Sequence, residues 1–168
     1  KIIDDTKLRY EKGESPVKKD APRILITGSP IGGCTNKIIN TIEESGGSIV
    51  AYELCSSIRN NRELVDENNP DVYDALAKKY LNIGCACMMN NDKRIQLIDE
   101  LIEEFKIDGV IDIALQSCHP FNVESNRIKE FVVNDKKIHY MAIETDYSQS
   151  DTEQLRTRFE AFIEMIES

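Results

Sequence analysis

Short apolar runs alternate with amphipathic segments along most of this chain. Four of these runs are typical of strands that are buried on both faces. They lie at residues 23–27, 48–54, 109–115 and 138–143. Between them, apolar residues recur at helical spacing, most clearly over residues 95–105. The alternation predicts βαβ units, and therefore an α/β fold of the Rossmann- or flavodoxin-like kind, with a four-stranded parallel sheet flanked by helices.

Capping signals predict where several helices begin. Pro70 suits the first position of one helix, because its missing N–H group would have no partner there in any case. Pro120 predicts the start of another helix, with Val123 on its inner face. Ser150 and Glu153 have the spacing of a capping box, which predicts the beginning of the last helix.

Residues 1–22 differ from the rest of the chain, because they are polar and show little apolar pattern. They predict a linker between domains, with one helical turn at its start. Residues 23–168 predict a single α/β domain. Since the chain begins at Lys1 rather than at a methionine, we expect it to be a piece of a longer protein that is cut at the joint between two domains.

Composition narrows the class of protein and its partners. The 168 residues include 21 basic and 30 acidic side chains, for a formal net charge of −9. Such a chain lacks the basic footprint that nucleic-acid binding requires. No apolar run approaches the roughly 18 residues of a membrane span. The five cysteines make a poor disulfide framework, because their number is odd. We therefore expect a cytoplasmic protein that binds neither nucleic acid nor membrane.

Residues whose side chains could take part in catalysis or ligand binding are concentrated where the predicted strands end. In a parallel α/β sheet, ligands bind beyond the carboxyl ends of the strands. This rule selects the loops at residues 28–34, 53–59, 116–120 and 144–150. The loops contain Cys34, Glu53, Cys55, Arg59, Gln116, Cys118, His119, Glu144, Asp146 and Tyr147.

The first of these loops, GSPIGGCTNK, follows a strand and opens a helix. Gly28, Gly33 and Thr35 occupy positions of a Walker A pattern, but Cys34 stands where the phosphate-binding lysine belongs. Pro30 likewise replaces the second glycine of a dinucleotide fingerprint. We therefore favour a tight strand-to-helix turn over a mononucleotide site, although the free N–H groups at the helix start could hold an anion. A flavodoxin-like nucleotide-binding module stays open as an alternative.

Cys118 follows the third strand and precedes the helix that Pro120 begins. The N-terminus of that helix would favour a thiolate, which is a soft ligand for iron or zinc. The alternative is a small buried apolar residue. The adjacent His119 is poorly placed to form a catalytic pair with it. Cys85 and Cys87 lie between two helices, and we interpret them as structural because their spacing differs from the usual zinc and ferredoxin patterns.

Five segments resemble, in their order and spacing, the 2-hydroxyacyl-CoA dehydratase D-component family. They are ITGSPIGG, VAYELCSSIR, CACM, DGVIDIALQSCHPFNVES and IETDYSQSDTEQLRTRFEAFIEM. The resemblance runs from about Arg23 to the C-terminus. The family also includes benzoyl-CoA reductase subunits and double-cubane cluster proteins, so the resemblance predicts an iron–sulfur protein of anaerobic metabolism and amino-acid fermentation.

The resemblance implies the radical dehydration of (R)-2-hydroxyacyl-CoA to 2-enoyl-CoA. Members hold an iron–sulfur cluster, a [4Fe-4S] or a double cubane, by three cysteines in each subunit. The C-terminal domain supplies one of these ligands, and Cys118 matches it by position. An ATP-dependent iron–sulfur activator protein delivers one electron, and the enzyme works with a second subunit or as a homodimer. Because two ligands would lie outside this chain, the chain alone is expected to be metal-free and inactive.

The same resemblance makes residues around Cys118 candidates for the site. Gln116 and His119 flank it, and we expect them to act as catalytic residues that hydrogen-bond cluster sulfurs or substrate. The residues expected to bind substrate are Ser29, Gly32, Gly33, Glu53 and Glu144. Two alternatives stay open: an ATP-dependent reductase of the benzoyl-CoA or double-cubane kind, and a non-catalytic interaction domain that has lost the cluster.

Overall fold

The structure is a computed structural model that describes residues 1–15, 17–88 and 90–168. The helices of this part of the chain are α1 (Ile2–Glu11), α2 (Thr35–Glu44), α3 (Ile58–Asn61), α4 (Val72–Leu81), α5 (Asp92–Phe105), α6 (His119–Glu130) and α7 (Thr152–Glu167). The strands are β1 (Arg23–Gly28), β2 (Ser48–Glu53), β3 (Gly109–Leu115) and β4 (His139–Thr145). A 3-10 turn at Gly32–Cys34 precedes α2, and a π-helical turn at Phe131–Asp135 follows α6.

The four strands form one parallel sheet in the order β2-β1-β3-β4. This arrangement confirms the predicted Rossmann- or flavodoxin-like fold. Helices α2 and α7 cover one face, where Ile26 and Phe159 are fully buried. Helices α5 and α6 cover the other face, where Leu25 and Ile98 are fully buried. Because all the strands run in the same direction, their carboxyl ends open on one edge of the sheet.

Gly28 allows β1 to approach β3 closely at this edge. Its φ angle is +121°, and a Cβ atom at this position would lie 2.0 Å from the carbonyl oxygen of Ile113. The next residue, Ser29, donates its N–H group to that same oxygen at 2.8 Å. The glycine therefore determines how closely the first loop lies against the third strand.

The N-terminal segment contains more helix than the sequence predicts. Helix α1 has ten residues instead of one turn, yet none of them is buried. Ile2 and Tyr10 are both 83% exposed. The helix therefore depends on its own backbone hydrogen bonds rather than on the core. Among the residues that the structure describes, no helix is both long and apolar enough to cross a membrane.

Two helices begin or pack differently from the prediction. Helix α4 begins at Val72 rather than at Pro70, and Asp71 caps it, since its carboxylate accepts two N–H groups of the first turn. In α6, Val123 is 78% exposed, and Phe121 is buried in its place. Phe121 faces inward, where its ring contacts the buried guanidinium groups of Arg59 and Arg94. A sequence pattern of apolar residues does not report such contacts.

The predicted capping box of the last helix is not formed. Asp151 occupies the N-cap position of α7 without a capping hydrogen bond, and neither Ser150 nor Glu153 takes the predicted role. The carboxylate of Asp151 instead accepts hydrogen bonds from Lys37 and Thr145. The start of α7 is therefore held by a tertiary contact instead of a local one.

Candidate functional site

A cavity of about 490 Å³ opens at the carboxyl edge of the sheet, beside Cys118. It is lined by Ser29, Pro30, Leu115, Gln116, Ser117, Cys118, Asp146 and Tyr147. The loops after β1, β3 and β4 all contribute to it, as expected for the ligand-binding edge of a parallel sheet. Cys118 is half-buried, so its thiol can meet a group that is bound in the cavity.

Hydrogen bonds to the neighbouring loop hold the backbone around Cys118. The hydroxyl of Ser29 accepts the N–H of Leu115 at 2.8 Å and donates to the carbonyl of Ile113 at 3.1 Å. Ser117 has a φ angle of +69°, in the left-handed region that favours glycine. This turn brings the N–H of Cys118 to the carbonyl of Leu115 at 2.9 Å. The position of the thiol is therefore determined by a strained turn that is tied to the first loop.

Four of the other predicted site residues lie at or near this edge without surrounding one cavity. Gln116 lines the Cys118 cavity and also a smaller cleft of about 160 Å³, which it shares with Glu144. His119 and Gly32 are exposed and belong to the lining of neither space. The structure therefore brings Gln116 and Ser29 to Cys118 directly, and Glu144 to the adjacent cleft.

Glu53 is fully buried and lines neither space. Its carboxylate forms ion pairs with Arg59 and Arg94, and it accepts the hydroxyl of Thr27 at 2.5 Å. Both arginines are also buried. These ion pairs tie the end of β2 to α3 and α5, and removing one partner would leave an uncompensated buried charge. The geometry therefore supports a structural role for Glu53 more directly than the predicted contact with substrate.

The ring of Phe121 contacts both buried arginines. The guanidinium carbons lie 5.3 Å from the ring centroid for Arg59 and 4.9 Å for Arg94. Arg94 also forms an ion pair with Glu124, one turn further along α6. These contacts fix the first turns of the helix that begins directly after Cys118. The sequence does not reveal this role of Arg94, because an arginine on an amphipathic helix usually faces solvent.

The thiol of Cys87 interacts with three other thiols. The neighbouring thiol of Cys85 raises the pKa of Cys87, and the charges of Cys118 and Cys55 act in the same direction. The Nη1 group of Arg59 donates to the Sγ of Cys55 at 3.1 Å. The fold therefore brings Cys55 and Cys118 within electrostatic reach of Cys87, although these three residues lie far apart in the sequence. The spacing of Cys85 and Cys87 contains no signal for this, since the interaction joins segments that are distant along the chain.

Cys34 is separate from this group of thiols. It is fully buried, its Sγ donates to the carbonyl of Ile31 at 3.2 Å, and burial raises the pKa of its thiol.

Across residues 1–15, 17–88 and 90–168, no three side chains of Cys, His, Asp or Glu are arranged to hold a metal ion. Cys118 offers a single thiolate of the type that iron binds.

A buried lysine organises the loop after β4. The side chain of Lys37 is fully buried, and its Nζ lies within hydrogen-bond distance of four oxygen atoms. These are Thr145 Oγ1 at 2.8 Å, the carbonyl oxygens of Asp146 at 3.0 Å and Ser148 at 2.8 Å, and Asp151 Oδ1 at 2.6 Å. The sequence does not point to this contact, because the lysine and its partners are more than a hundred residues apart.

Tyr147 lies in the middle of the loop that Lys37 holds, and its ring packs on Gly33. A Cβ atom at Gly33 would lie 2.7 Å from Cδ1 of the ring, so a larger residue there would displace the tyrosine side chain. Tyr147 also lines the Cys118 cavity. Of the predicted substrate-binding residues, Gly33 therefore shapes the cavity indirectly, through the ring that it supports.

The Lys37–Asp151 pair is expected to make stability depend on pH. Burial alone would raise the pKa of Asp151, but hydrogen bonds from Lys37 and Thr145 and the charge of Lys37 lower this pKa overall. Since the folded-state pKa lies below the unfolded value of about 4, the stabilisation is present above that pH and is lost as the pH falls through the folded-state pKa.

Urea unfolding of Asp151→Asn and of the unchanged protein checks this expectation. The variant should lose more stability near neutral pH than in acid, where the unchanged carboxyl is also protonated. An equal difference between the two proteins at both pH values would contradict it.

Comparison with known proteins adds the family of the chain. A family model described as 2-hydroxyglutaryl-CoA dehydratase, D-component, matches residues 1–166. The chain is 52% identical over 145 residues to "Putative dehydratase subunit YjiM" of Escherichia coli (strain K12), an alignment that covers 86% of this chain and 38% of that protein. It is 29% identical over 156 residues to the (R)-phenyllactyl-CoA dehydratase beta subunit of Clostridium sporogenes, an alignment that covers 92% of this chain and 41% of that protein. The chain therefore spans about two fifths of the length of these relatives.

Proposed function

Because the chain belongs to the 2-hydroxyglutaryl-CoA dehydratase D-component family, we propose that it is part of a subunit that dehydrates an (R)-2-hydroxyacyl-CoA. In this reaction the substrate loses one water molecule and becomes the 2-enoyl-CoA. Cys118 is proposed as one ligand of an iron–sulfur cluster in the natural protein. The observation that carries the proposal is the half-buried thiol of Cys118, which lines a cavity formed by the loops after three strands.

The donor chemistry at this edge fits an iron–sulfur cluster. Thiolates are the usual ligands of such clusters, and Cys118 lies beside a cavity of about 490 Å³. Cys55, Cys85 and Cys118 each lie within electrostatic reach of Cys87. The remaining ligands would come from these cysteines or from a further part of the natural protein.

When bound, the cluster would supply an electron at low potential, after an ATP-dependent activator protein has reduced it. The residues of this chain would bind and orient the substrate. The exposed amide of Gln116 lines the cavity, where its N–H groups suit a thioester carbonyl oxygen or a cluster sulfur. His119 follows Cys118 on the exposed side, where a ring N–H group could donate to a substrate oxygen or to a cluster sulfur. Ser29 holds the loop that carries Cys118 against the first loop, because its hydroxyl accepts the N–H of Leu115.

The proposed partners follow from the same assignment. One of the two relatives is named as a beta subunit, which supports a second dehydratase subunit; a homodimer is the alternative. The activator protein and the acyl-CoA substrate complete the proposed set. The chain itself carries a net charge of −9, which suits docking to other proteins more than binding to a nucleic acid.

A specific observation favours a second candidate function. The thiol of Cys87 lies within electrostatic reach of Cys85, Cys118 and Cys55, so this chain contains thiols beyond the single ligand that the first candidate requires. An ATP-dependent reductase of the double-cubane or benzoyl-CoA reductase kind would use the additional thiols to hold more iron. The two candidates differ in the amount of iron in each subunit and in the reaction of the acyl-CoA.

Purification of the natural protein without oxygen, followed by iron and sulfide analysis and electron paramagnetic resonance, tests the proposal. We expect about four iron atoms per subunit for a single cubane and about eight for a double cubane. Dehydration of (R)-phenyllactyl-CoA would distinguish the dehydratase from the reductase. A protein that contains neither iron nor sulfide would contradict the proposal and would favour a non-catalytic interaction domain.

A further inference from the structure

We infer that Lys37 is a positioning residue: its buried ammonium group holds the loop of residues 145–151 so that Tyr147 and Asp146 form one wall of the Cys118 cavity. The inference rests on the proposed function only in taking this cavity as the reaction site. It adds a residue that neither the family resemblance nor the strand-end rule selects, since Lys37 belongs to α2 and does not line the cavity.

The first argument is the number and type of contacts at Nζ. An ammonium group has three N–H donors, and four oxygen atoms lie between 2.6 and 3.0 Å from it. All four belong to residues 145–151, and two of them are backbone carbonyls. Because backbone carbonyls are held directly, these contacts fix the path of the loop and not just one side chain.

The second argument is the cost of burying this charge. The side chain of Lys37 is fully buried, and that of Asp151 is 24% exposed. A buried ammonium group is stable only with a compensating charge and a complete set of hydrogen bonds. If the loop leaves Lys37, the ammonium group loses all four oxygen partners at once, including the opposite charge of Asp151. The closed arrangement of the loop is therefore strongly favoured.

The third argument connects the loop with the cavity. Asp146 and Tyr147 both line it, together with Ser29 and Cys118. Tyr147 is 60% exposed and is supported on its inner side by Gly33. Because more than half of the side chain is exposed, the position of the ring depends on the backbone of the loop. Lys37 therefore controls how far the cavity, and the thiol of Cys118, is open to solvent or substrate.

Hydrogen exchange and thiol alkylation of the intact natural protein test the inference. Iron is first removed with a chelator under reducing conditions if any is present. In Lys37→Met, amide exchange of residues 145–151 should become about tenfold faster, the equivalent of about 1.4 kcal/mol. Alkylation of Cys118 by iodoacetamide should also become about tenfold faster. Exchange in β3 and alkylation of the exposed Cys87 serve as internal references and should stay unchanged.

Two further variants separate positioning from stability. Lys37→Met combined with Asp151→Leu removes both charges, and a buried ion pair replaced by apolar residues often retains stability. The double variant should therefore melt near the original temperature. It should still show the faster amide exchange of residues 145–151 and the faster alkylation of Cys118. Tyr147→Ala leaves the lysine contacts in place and should increase alkylation of Cys118 to a similar extent.

Unchanged loop exchange in both lysine variants would overturn the inference. A faster loop with unchanged alkylation of Cys118 would overturn it as well, because Lys37 would then be purely structural. Neither readout needs iron or turnover, so this test and the iron analysis of the natural protein can fail independently.

Discussion

Replacing Cys118 by alanine in the natural protein, purified without oxygen, should remove roughly half of its iron or more, because cluster binding depends on each thiolate ligand. If the subunit holds one cubane, we expect nearly complete loss. If it holds a double cubane, the half that Cys118 supports should be lost. Iron analysis and the electron paramagnetic resonance spectrum measure the effect.

Cys34→Ala provides the matched control for this variant. Cys34 is the one cysteine that the structure places fully inside the core, and its Sγ is bonded to the carbonyl of Ile31. Its removal should lower stability slightly and leave the iron content unchanged. If Cys118→Ala retains its full iron content and spectrum, Cys118 is not a cluster ligand and the proposed site has to be abandoned.

Replacing Glu53 by glutamine should lower the free energy of unfolding by about 3–5 kcal/mol, the range found when one partner of a buried ion pair is removed. The variant leaves the guanidinium groups of Arg59 and Arg94 buried without their shared carboxylate. Because both groups contact Phe121, the first turn of α6 should also become more mobile. Urea unfolding followed by circular dichroism measures the loss of stability.

Glu100→Gln is the control for the loss of a charge at the surface. Glu100 pairs with Arg62 at 3.2 Å, and both side chains are well exposed. Surface pairs of this kind contribute at most about 1 kcal/mol. A similar loss of stability in the two variants would show that the network around Glu53 has no special role in holding the Cys118 loop.

The layered fold could be predicted because its signals are local. The apolar run at residues 109–115 coincides with β3, since a strand buried on both faces is apolar along its whole length. The position of Cys118 at the ligand-binding edge follows from the same run, because the residue comes directly after it. The fold class and the location of the cavity can therefore be predicted from hydrophobic periodicity and from the order of residues along the chain.

The parts of the site that escaped prediction depend on contacts between distant segments. Arg94 and Lys37 occupy helix positions at which a charged residue normally faces solvent, and only their partners on other elements explain their burial. Phe121 replaces Val123 on the inner face of α6 for the same reason. Cys85 and Cys87 lie between α4 and α5, where the sequence contains no periodic signal for the effect of distant thiols on Cys87.

The ammonium group of Lys37 is surrounded by four oxygen atoms, as a bound metal cation would be. In contrast to a metal, this cation is tethered to α2 by its own side chain, so neither dialysis nor a chelator can remove it. The order of the loop that carries Tyr147 therefore needs no bound metal. If the proposed iron centre were lost, this wall of the cavity should keep its shape.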